Sequence, residues 1–308
     1  MKNKLLLFIV GVLLVTVGYI IQNRIFGKPP ANTREVNKVK VVTSMYPLYF
    51  FTTQIGGELV DVTNITPAGT EPHDFEPTSK HIVEIEKSDL LIINGNVEAW
   101  ADKIKENFKN SDIILVTATD GLSTQQVEGE GQEQSDPHVW LDPVLAKKEV
   151  KAITDALIKA DPKNVGYFNN NEKILNAKLD QLDNAFKNGL STCQKQDIIT
   201  SHSAFGYLAS RYNLKQVAIT GLSPDAEPST RQLSDIAKFA KARNVDYIFF
   251  ETLISPKLSQ TLADEIGAKT LVLDPLEGLT GDQIKAGKDY FSQMHENLNN
   301  LKIALACT

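Results

Sequence analysis

Three of the five histidines occur in segments that could bind a metal ion. His138 lies in residues 136–143 (Asp-Pro-His-Val-Trp-Leu-Asp-Pro), and His73 lies in the similar segment 71–77 (Glu-Pro-His-Asp-Phe-Glu-Pro). Each proline restricts its own φ and the backbone of the residue before it, so both segments predict rigid turns that hold an imidazole still. His202 follows a predicted strand in segment 200–207 (Thr-Ser-His-Ser-Ala-Phe-Gly-Tyr). A lone loop histidine is more often structural than a ligand, but three in such places favour a metal site.

Asp274 is the candidate for a fourth ligand, because it directly follows the last predicted strand in the way that His202 follows an earlier one. A helix-capping or turn role would suit this carboxylate equally well. Three imidazoles and one carboxylate can close a four-coordinate shell, which favours Zn²⁺ over Mn²⁺ or Mg²⁺. The ring nitrogens that face away from the metal need partners, and acids close to the histidines in sequence are candidates: Glu71, Asp74, Asp136 and Asp142. The other two histidines, His81 and His295, are predicted to be ordinary surface residues of helices.

The rest of the chain predicts an α/β fold that would position these residues. Short apolar strands alternate with amphipathic helices from residue 37 onward, which is typical of parallel sheets. We expect two lobes, each a mainly parallel four-stranded sheet flanked by helices. The predicted strands are 38–43, 60–65, 90–94 and 113–116, then 197–200, 216–219, 246–250 and 270–273. The predicted helices are 46–55, 79–87, 99–108, 144–160, 164–187, 204–212, 230–243, 257–266 and 281–301.

A long helix is predicted to join the lobes as a stiff connector. Its apolar residues fall on one stripe, made of Tyr167, Ile174, Leu175, Leu179, Leu182 and Phe186. Residues 120–136 are rich in Gly, Gln, Glu and Ser and predict a mobile surface loop. The expected organisation is therefore an N-terminal segment over 1–36, an N-terminal lobe over 37–160, a connecting helix over 161–190 and a C-terminal lobe over 191–308.

The N-terminal segment predicts export. Lys2 and Lys4 precede an apolar run from Leu5 to Ile21, close to the roughly 20 residues that cross a bilayer. The run reads as an export signal or an uncleaved membrane anchor, and we favour the anchor because no usual cleavage site follows. Residues 22–36 then predict a flexible stalk. We expect the folded part to lie outside the cytoplasm.

Charge and cysteine content limit the function further. A net charge of −6 argues against a nucleic-acid partner, since no basic patch is present to neutralise phosphates. The 308 residues, 42% of them hydrophobic, can form one sizeable core or two modest ones. Cys193 and Cys307 permit one disulfide in an exported protein; two unpaired buried thiols are the alternative.

These residues resemble a known family, the solute-binding proteins of ABC transporters for zinc and manganese that have a rigid helical backbone between two lobes. The resemblance covers about residues 38–307 and is carried by five segments in order: 43–48 (Thr-Ser-Met-Tyr-Pro-Leu), 71–77, 136–143, 200–207 and 273–276 (Leu-Asp-Pro-Leu). It implies that His73, His138, His202 and Asp274 bind a metal ion in the cleft between the lobes. It also implies Zn²⁺ as the transported ion, because members that carry manganese typically have Glu where this chain has His202.

The resemblance implies capture rather than catalysis. The chain is expected to bind a divalent metal, most simply Zn²⁺ with Mn²⁺ as the alternative, and to deliver it to a membrane permease driven by an ATPase. We expect a monomer, with the metal ion as its transported ligand. A zinc hydrolase is a competing hypothesis, since the same histidines could hold a metal-bound water, but a fourth protein ligand would close the open position that catalysis needs. A surface adhesin is a second alternative.

Overall fold

The computed structural model describes residues 38–122, 125–129 and 132–308, together with Thr16. Residues Lys38–Thr308 form one compact unit. Its strands are β1 (Val39–Thr43), β2 (Val60–Asn64), β3 (Leu90–Ile93), β4 (Ile114–Thr117), β5 (Gln126–Gly129), β6 (Gln132–Ser135), β7 (Asp197–Thr200), β8 (Lys215–Ala218), β9 (Tyr247–Phe250) and β10 (Lys269–Val272). Its helices are α1 (Tyr46–Gly56), α2 (Ser79–Glu86), α3 (Ala101–Phe108), α4 (Pro143–Ala160), α5 (Val165–Leu190), α6 (Gly206–Arg211), α7 (Thr230–Ala242), α8 (Lys257–Ile266), α9 (Gly281–Lys285) and α10 (Tyr290–Ala304).

Two four-stranded sheets form the framework, in the orders β2-β1-β3-β4 and β10-β9-β7-β8. Every pairing within them is parallel. Parallel neighbours need a crossover connection, and the helices between the strands supply it. The predicted α/β class with two parallel four-stranded sheets is therefore confirmed.

Each sheet is buried on both faces. In β3, Leu90 and Ile92 join a core that extends over both sheets, whereas Leu91 and Ile93 pack on the opposite face against α2 and α3. The second sheet repeats this layout, with Ile199 and its neighbours packed against α7 and α8. Burial on both faces explains why the inner strand β3 is a continuous apolar run, whereas the edge strands β2 and β8 contain polar residues.

The long helix α5 has 26 residues, so it extends about 39 Å at the usual rise. Its buried stripe packs against α1, α4 and α10, and so contacts elements that precede and follow it in the chain. The members of this stripe are Phe168, Leu175, Leu179, Leu182, Phe186 and Leu190. The predicted long connecting helix is therefore present, although Tyr167 and Ile174 of the predicted stripe are exposed.

Two predicted segments differ from the structure. Residues 281–301, predicted as one helix, form α9 and α10, which are separated by a turn in which Gly287 has a φ of +71°. Residues 120–136, predicted as a loop, contain the antiparallel hairpin of β5 and β6. Backbone pairing forms the hairpin although the sequence there is polar.

Two further predictions concern the membrane anchor and the cysteine pair. The predicted anchor, Leu5 to Ile21, lies outside the described residues apart from Thr16, and no helix within the described part is long and apolar enough to cross a membrane. Cys193 and Cys307 form a disulfide, which resolves the choice between a bridge and two thiols.

Candidate metal centre

The site lies where parallel strands of both sheets end. His73 is in the loop after β2, His202 comes two residues after β7, and Glu277 is five residues beyond β10. His138 follows the β5–β6 hairpin and lies just before a short 3-10 turn, Val139–Leu141. Loops at the carboxyl ends of parallel strands are the usual place for a ligand in an open α/β sheet.

Four side chains from these loops meet at one point. One ligand atom from each of His73, His138, His202 and Glu277 lies within 4.8 Å of the others. The Oε1 atom of Glu277 lies 3.2 Å from Nε2 of His73, 3.1 Å from Nε2 of His138 and 3.5 Å from Nε2 of His202. The last two nitrogens are 3.4 Å apart. Three imidazole nitrogens and one carboxylate therefore converge from three loops and one turn.

The turn that carries His138 is rigid for reasons visible in its sequence. Asp142 accepts a hydrogen bond from the backbone N–H of Val144 at 2.8 Å and so caps α4, and Pro143 occupies the first turn of that helix, where its missing N–H costs nothing. The indole of Trp140 donates to the carbonyl of Pro275 at 2.7 Å. The turn is thus fixed to the segment that carries Glu277 as well as to its own helix.

Asp274 does not belong to the group of four, contrary to the expected ligand set. Its carboxylate accepts hydrogen bonds from the backbone N–H of Leu276 at 2.8 Å and from the hydroxyl of Thr252 at 2.7 Å. Asn297 brackets its backbone, accepting from the N–H of Asp274 and donating to its C=O at 2.8 and 2.7 Å. These contacts correspond to the structural role in a turn that the sequence also allowed for Asp274. The buried Asp274 stabilises the turn that carries Glu277.

Leu276 completes this turn in an unusual conformation. Its φ of +57° lies in the left-handed region, which costs a non-glycine residue free energy and persists only where its surroundings enforce it. The hydrogen bond from its N–H to Asp274 and the complete burial of its side chain do so. The reversed backbone brings Glu277 to the imidazoles.

Burial and charge shift the pKa values of the group in a concerted way. Burial alone would raise the pKa of Glu277, but the three histidines overcome it and lower that pKa well below its ordinary value. Burial would lower the pKa of His138 and His202, but their carboxylate neighbours raise both. Glu71, whose carboxylate accepts from the N–H of His73 at 3.2 Å, has its pKa raised to about 9 by burial and by the charge of Glu277. Glu277 and the imidazoles therefore favour each other's charged forms, whereas the raised pKa of Glu71 keeps that carboxyl neutral at pH 7.

The donors fit a zinc ion. Zn–N bonds of about 2.0–2.1 Å in a tetrahedral shell place neighbouring donors roughly 3.3 Å apart. The distances from Oε1 of Glu277 to the three Nε2 atoms, and between Nε2 of His138 and Nε2 of His202, are 3.1–3.5 Å and correspond to such a shell. A fourth protein donor also occupies the position that a catalytic zinc keeps open for water.

The remaining acids and histidines have other roles. Asp136 hydrogen-bonds His138, as one of the predicted partners, whereas the partner of His202 is Glu251, which the sequence did not suggest. Glu251 directly follows β9, so the strand-end rule that identified His202 could have found it. His81 accepts from the N–H of Thr78 and completes a capping box at α2, a structural role, and His295 is an exposed residue of α10.

Comparison with known families gives a match over most of the chain. Residues 41–304 match the family model of ZnuA, the periplasmic component A of the zinc-uptake complex. The high-affinity zinc uptake system protein ZnuA of Bacillus subtilis is 42% identical over 281 residues, which is 87% of this chain and 88% of that protein.

Streptococcal proteins are similar in both sequence and structure. The zinc-binding lipoprotein AdcA of Streptococcus pneumoniae is 40% identical over 277 residues, 86% of this chain but 55% of the lipoprotein, so this chain spans about half of its length. The crystal structure of the Zn(II)-bound ZnuA-like domain of AdcA superposes with a TM-score of 0.76 at 40% identity, covering 87% of this chain and 99% of that domain. The likeness therefore extends over both sheets and the loops that hold the four donors.

Proposed function

The chain belongs to the family of periplasmic zinc-uptake components, and from that membership we propose that it captures one Zn²⁺ ion outside the cytoplasm for import. Members of this family are solute-binding proteins and not enzymes, so the zinc hydrolase hypothesis is set aside. The proposed ligands are His73, His138, His202 and Glu277, the last in place of Asp274. The convergence of their four donor atoms within 4.8 Å is the observation that carries the proposal.

Zinc is preferred over manganese because of the donor set. Three imidazole nitrogens and one oxygen suit Zn²⁺, whereas Mn²⁺ favours shells richer in oxygen. A relative with the same architecture is named a zinc-binding lipoprotein, which supports the same choice. Since imidazoles must be neutral to bind a metal, zinc affinity should fall as the pH drops through the pKa values of the histidines, which the neighbouring carboxylates raise at His138 and His202.

Delivery requires a partner in the membrane. We propose that the loaded chain docks on an ABC permease, which is driven by its ATPase, and that the chain acts as a monomer. The apolar run from Leu5 to Ile21 would tether it to the outer face of the membrane, with residues 22–36 as a stalk. We also propose the domain boundaries given by the sequence: 1–36, 37–160, 161–190 and 191–308.

The first prediction concerns zinc affinity. His202→Ala in the full chain should weaken zinc binding by orders of magnitude, because it removes one of four donors and leaves an open shell. Competition with a chelator of known affinity measures the effect, and addition of excess Mn²⁺ to the zinc-loaded wild type measures selectivity. His295→Ala removes an exposed histidine of α10 and serves as the matched control.

We expect one zinc per chain in the wild type and in His295→Ala, retained against Mn²⁺, and a large loss in His202→Ala. Displacement of zinc by Mn²⁺ would favour the manganese alternative. A chain that binds neither ion, or that binds zinc equally well without His202, would refute metal capture at this site and leave the adhesin hypothesis.

A further inference from the structure

His138 is held by a buried carboxylate through two hydrogen bonds. Oδ1 of Asp136 lies 2.8 Å from Nδ1 of His138 and also accepts from the backbone N–H of the same residue at 2.9 Å. Both side chains are fully buried. A single oxygen atom thus fixes the ring and the backbone of one histidine, and Nε2 points at Glu277.

His202 is held in the same way from a different element. Oε1 of Glu251 lies 2.7 Å from Nδ1 of His202 and accepts from its backbone N–H at 3.2 Å. His202 is fully buried and Glu251 nearly so. Glu251 follows β9, whereas Asp136 follows the β5–β6 hairpin. Two parts of the chain that are far apart in sequence therefore form the same arrangement of a carboxylate and a histidine.

His73 is different. Its ring hydrogen-bonds Glu277 through Nε2 at 3.2 Å, and among the described residues no carboxylate hydrogen-bonds its Nδ1. Its backbone N–H, like those of the other two, does donate to an acid, Glu71. The three imidazoles are therefore not equivalent: two have a carboxylate on the ring nitrogen that faces away from the site, and one does not.

Gly206 shows that the chain makes room for one of these carboxylates. A Cβ atom at position 206 would come within 2.7 Å of Oδ2 of Asp136, which is closer than any real contact of this kind. The residue lies in the first turn of α6 with no positive φ, so its backbone does not require glycine. Glycine is required here because Asp136 approaches too closely to leave room for a Cβ atom.

We propose that Asp136 and Glu251 are positioning residues, which fix His138 and His202 as Nε2 donors through hydrogen bonds to Nδ1 before the ion arrives. The proposal rests on the proposed function, since it assigns roles around the same ion. A carboxylate on Nδ1 takes the proton of that nitrogen as a hydrogen bond, orients the ring and leaves Nε2 for the metal. Two of the four donors are thereby set in advance, which lowers the ordering cost of capture. His73, without such a partner, acquires its final orientation from the ion.

Zinc affinity is the first readout. Glu251→Gln and Asp136→Asn in the full chain should each weaken zinc binding by about 10- to 100-fold, because an amide can donate to Nδ1 and so favour the wrong tautomer. Gly206→Ala should also weaken binding, although it leaves every acid in place, because it displaces Asp136. Glu149→Gln is the matched control, as it makes the same acid-to-amide change at another fully buried carboxyl, one that hydrogen-bonds no imidazole among the described residues.

The second readout separates positioning from a purely structural role. In the zinc-saturated wild type, the Nδ1 protons of His138 and His202 should exchange slowly with solvent in ¹H–¹⁵N spectra. Glu251→Gln should remove the protection at His202 only, and Asp136→Asn at His138 only. If affinity and both Nδ1 protons are unchanged in the two variants while the wild type binds zinc, the positioning proposal is refuted and the proposed function stands. If the wild type binds no zinc, the proposed function itself fails.

Discussion

Glu149 is a buried acid on α4 that does not belong to the metal site. Its side chain is fully buried, and neither carboxylate oxygen has a hydrogen-bond partner among the described residues. Burial raises its pKa well above the ordinary value, because a buried charge without a partner is costly. The folded protein therefore holds Glu149 as the neutral acid.

This state predicts a pH dependence of stability. In the unfolded chain Glu149 ionises at its ordinary pKa, so its contribution to stability is complete below that pKa and is lost as the pH rises through the raised pKa of the folded state. Glu149→Gln cannot ionise and should lose less stability than the wild type between roughly pH 5 and pH 8. Denaturant titrations at both pH values check this, with Asp155→Asn on the exposed side of α4 as control. Parallel losses in wild type and Glu149→Gln would contradict it.

At this scale, the sequence identified the histidines but not the carboxylate beside them. Prolines flank His73 and His138, and a strand precedes His202, so each has a local signal. Asp274 and Glu277 both follow β10, and which one reaches the imidazoles depends on the left-handed Leu276 between them. The sequence gives no sign of this conformation, because the residue at the position is a leucine and leucine rarely adopts a left-handed backbone.

At the scale of elements, a cluster of charges joins three helices beneath the His138 turn. Nε of Arg211, at the end of α6, lies 2.7 Å from Oδ1 of Asp183 on α5 and 3.2 Å from Oδ1 of Asp142, the cap of α4. Burial would raise the pKa of Asp183, but hydrogen bonds from Arg211 and Lys187 outweigh it and lower the pKa to about 2. The cluster thus fixes the start of α4, and with it the turn, to the long helix.

Arg211→Ala should lower the free energy of unfolding at neutral pH by about 1–3 kcal/mol, because it leaves two largely buried carboxylates without their shared partner. The depressed pKa of Asp183 gives stability that is present above the ordinary carboxyl pKa and is lost as the pH falls towards 2. The difference between wild type and variant should therefore shrink in acid. Denaturant titrations over that range measure it, and Arg231→Ala, whose side chain is 92% exposed on α7, is the control. A difference that stays constant down to acid pH would argue against the assignment.

The elements themselves were largely predictable. The bounds of the strands in the two parallel sheets agree to within one or two residues, because these strands are short segments rich in apolar and β-branched residues between turn residues. The break between α9 and α10 was missed because the apolar pattern continues across it, and only the left-handed Gly287 and the capping acid Asp289 mark it. On α5, Phe168 rather than Tyr167 enters the core, since the choice between adjacent aromatics depends on how the helix docks.

At the scale of the whole molecule, the disulfide closes the second half of the chain. Cys193 follows the end of α5, Cys307 follows the end of α10, and 114 residues separate them. The hydroxyl of Thr192 donates to the carbonyl of Thr308 at 2.6 Å beside the bridge. The last residues are thereby held against the start of the second sheet.

A chain with both Cys193→Ser and Cys307→Ser should lose about 2–5 kcal/mol of unfolding free energy, because the bridge restricts a long loop in the unfolded state. Zinc affinity should not change, since neither cysteine belongs to the metal centre. Denaturant titrations with and without reductant check the first point, and the double variant should not respond to reductant. Equal stability of the oxidised wild type and the variant would show that the bridge contributes nothing.

The central claim is that one Zn²⁺ binds between His73, His138, His202 and Glu277. Its most direct test is a crystal structure of the zinc-loaded chain with anomalous scattering measured on both sides of the zinc absorption edge. We predict a single strong zinc peak about 2.0–2.2 Å from the three Nε2 atoms and from a carboxylate oxygen of Glu277, with Asp274 still hydrogen-bonded to Leu276. A peak bound to Asp274 instead, or a zinc ion away from the three histidines, would contradict the account.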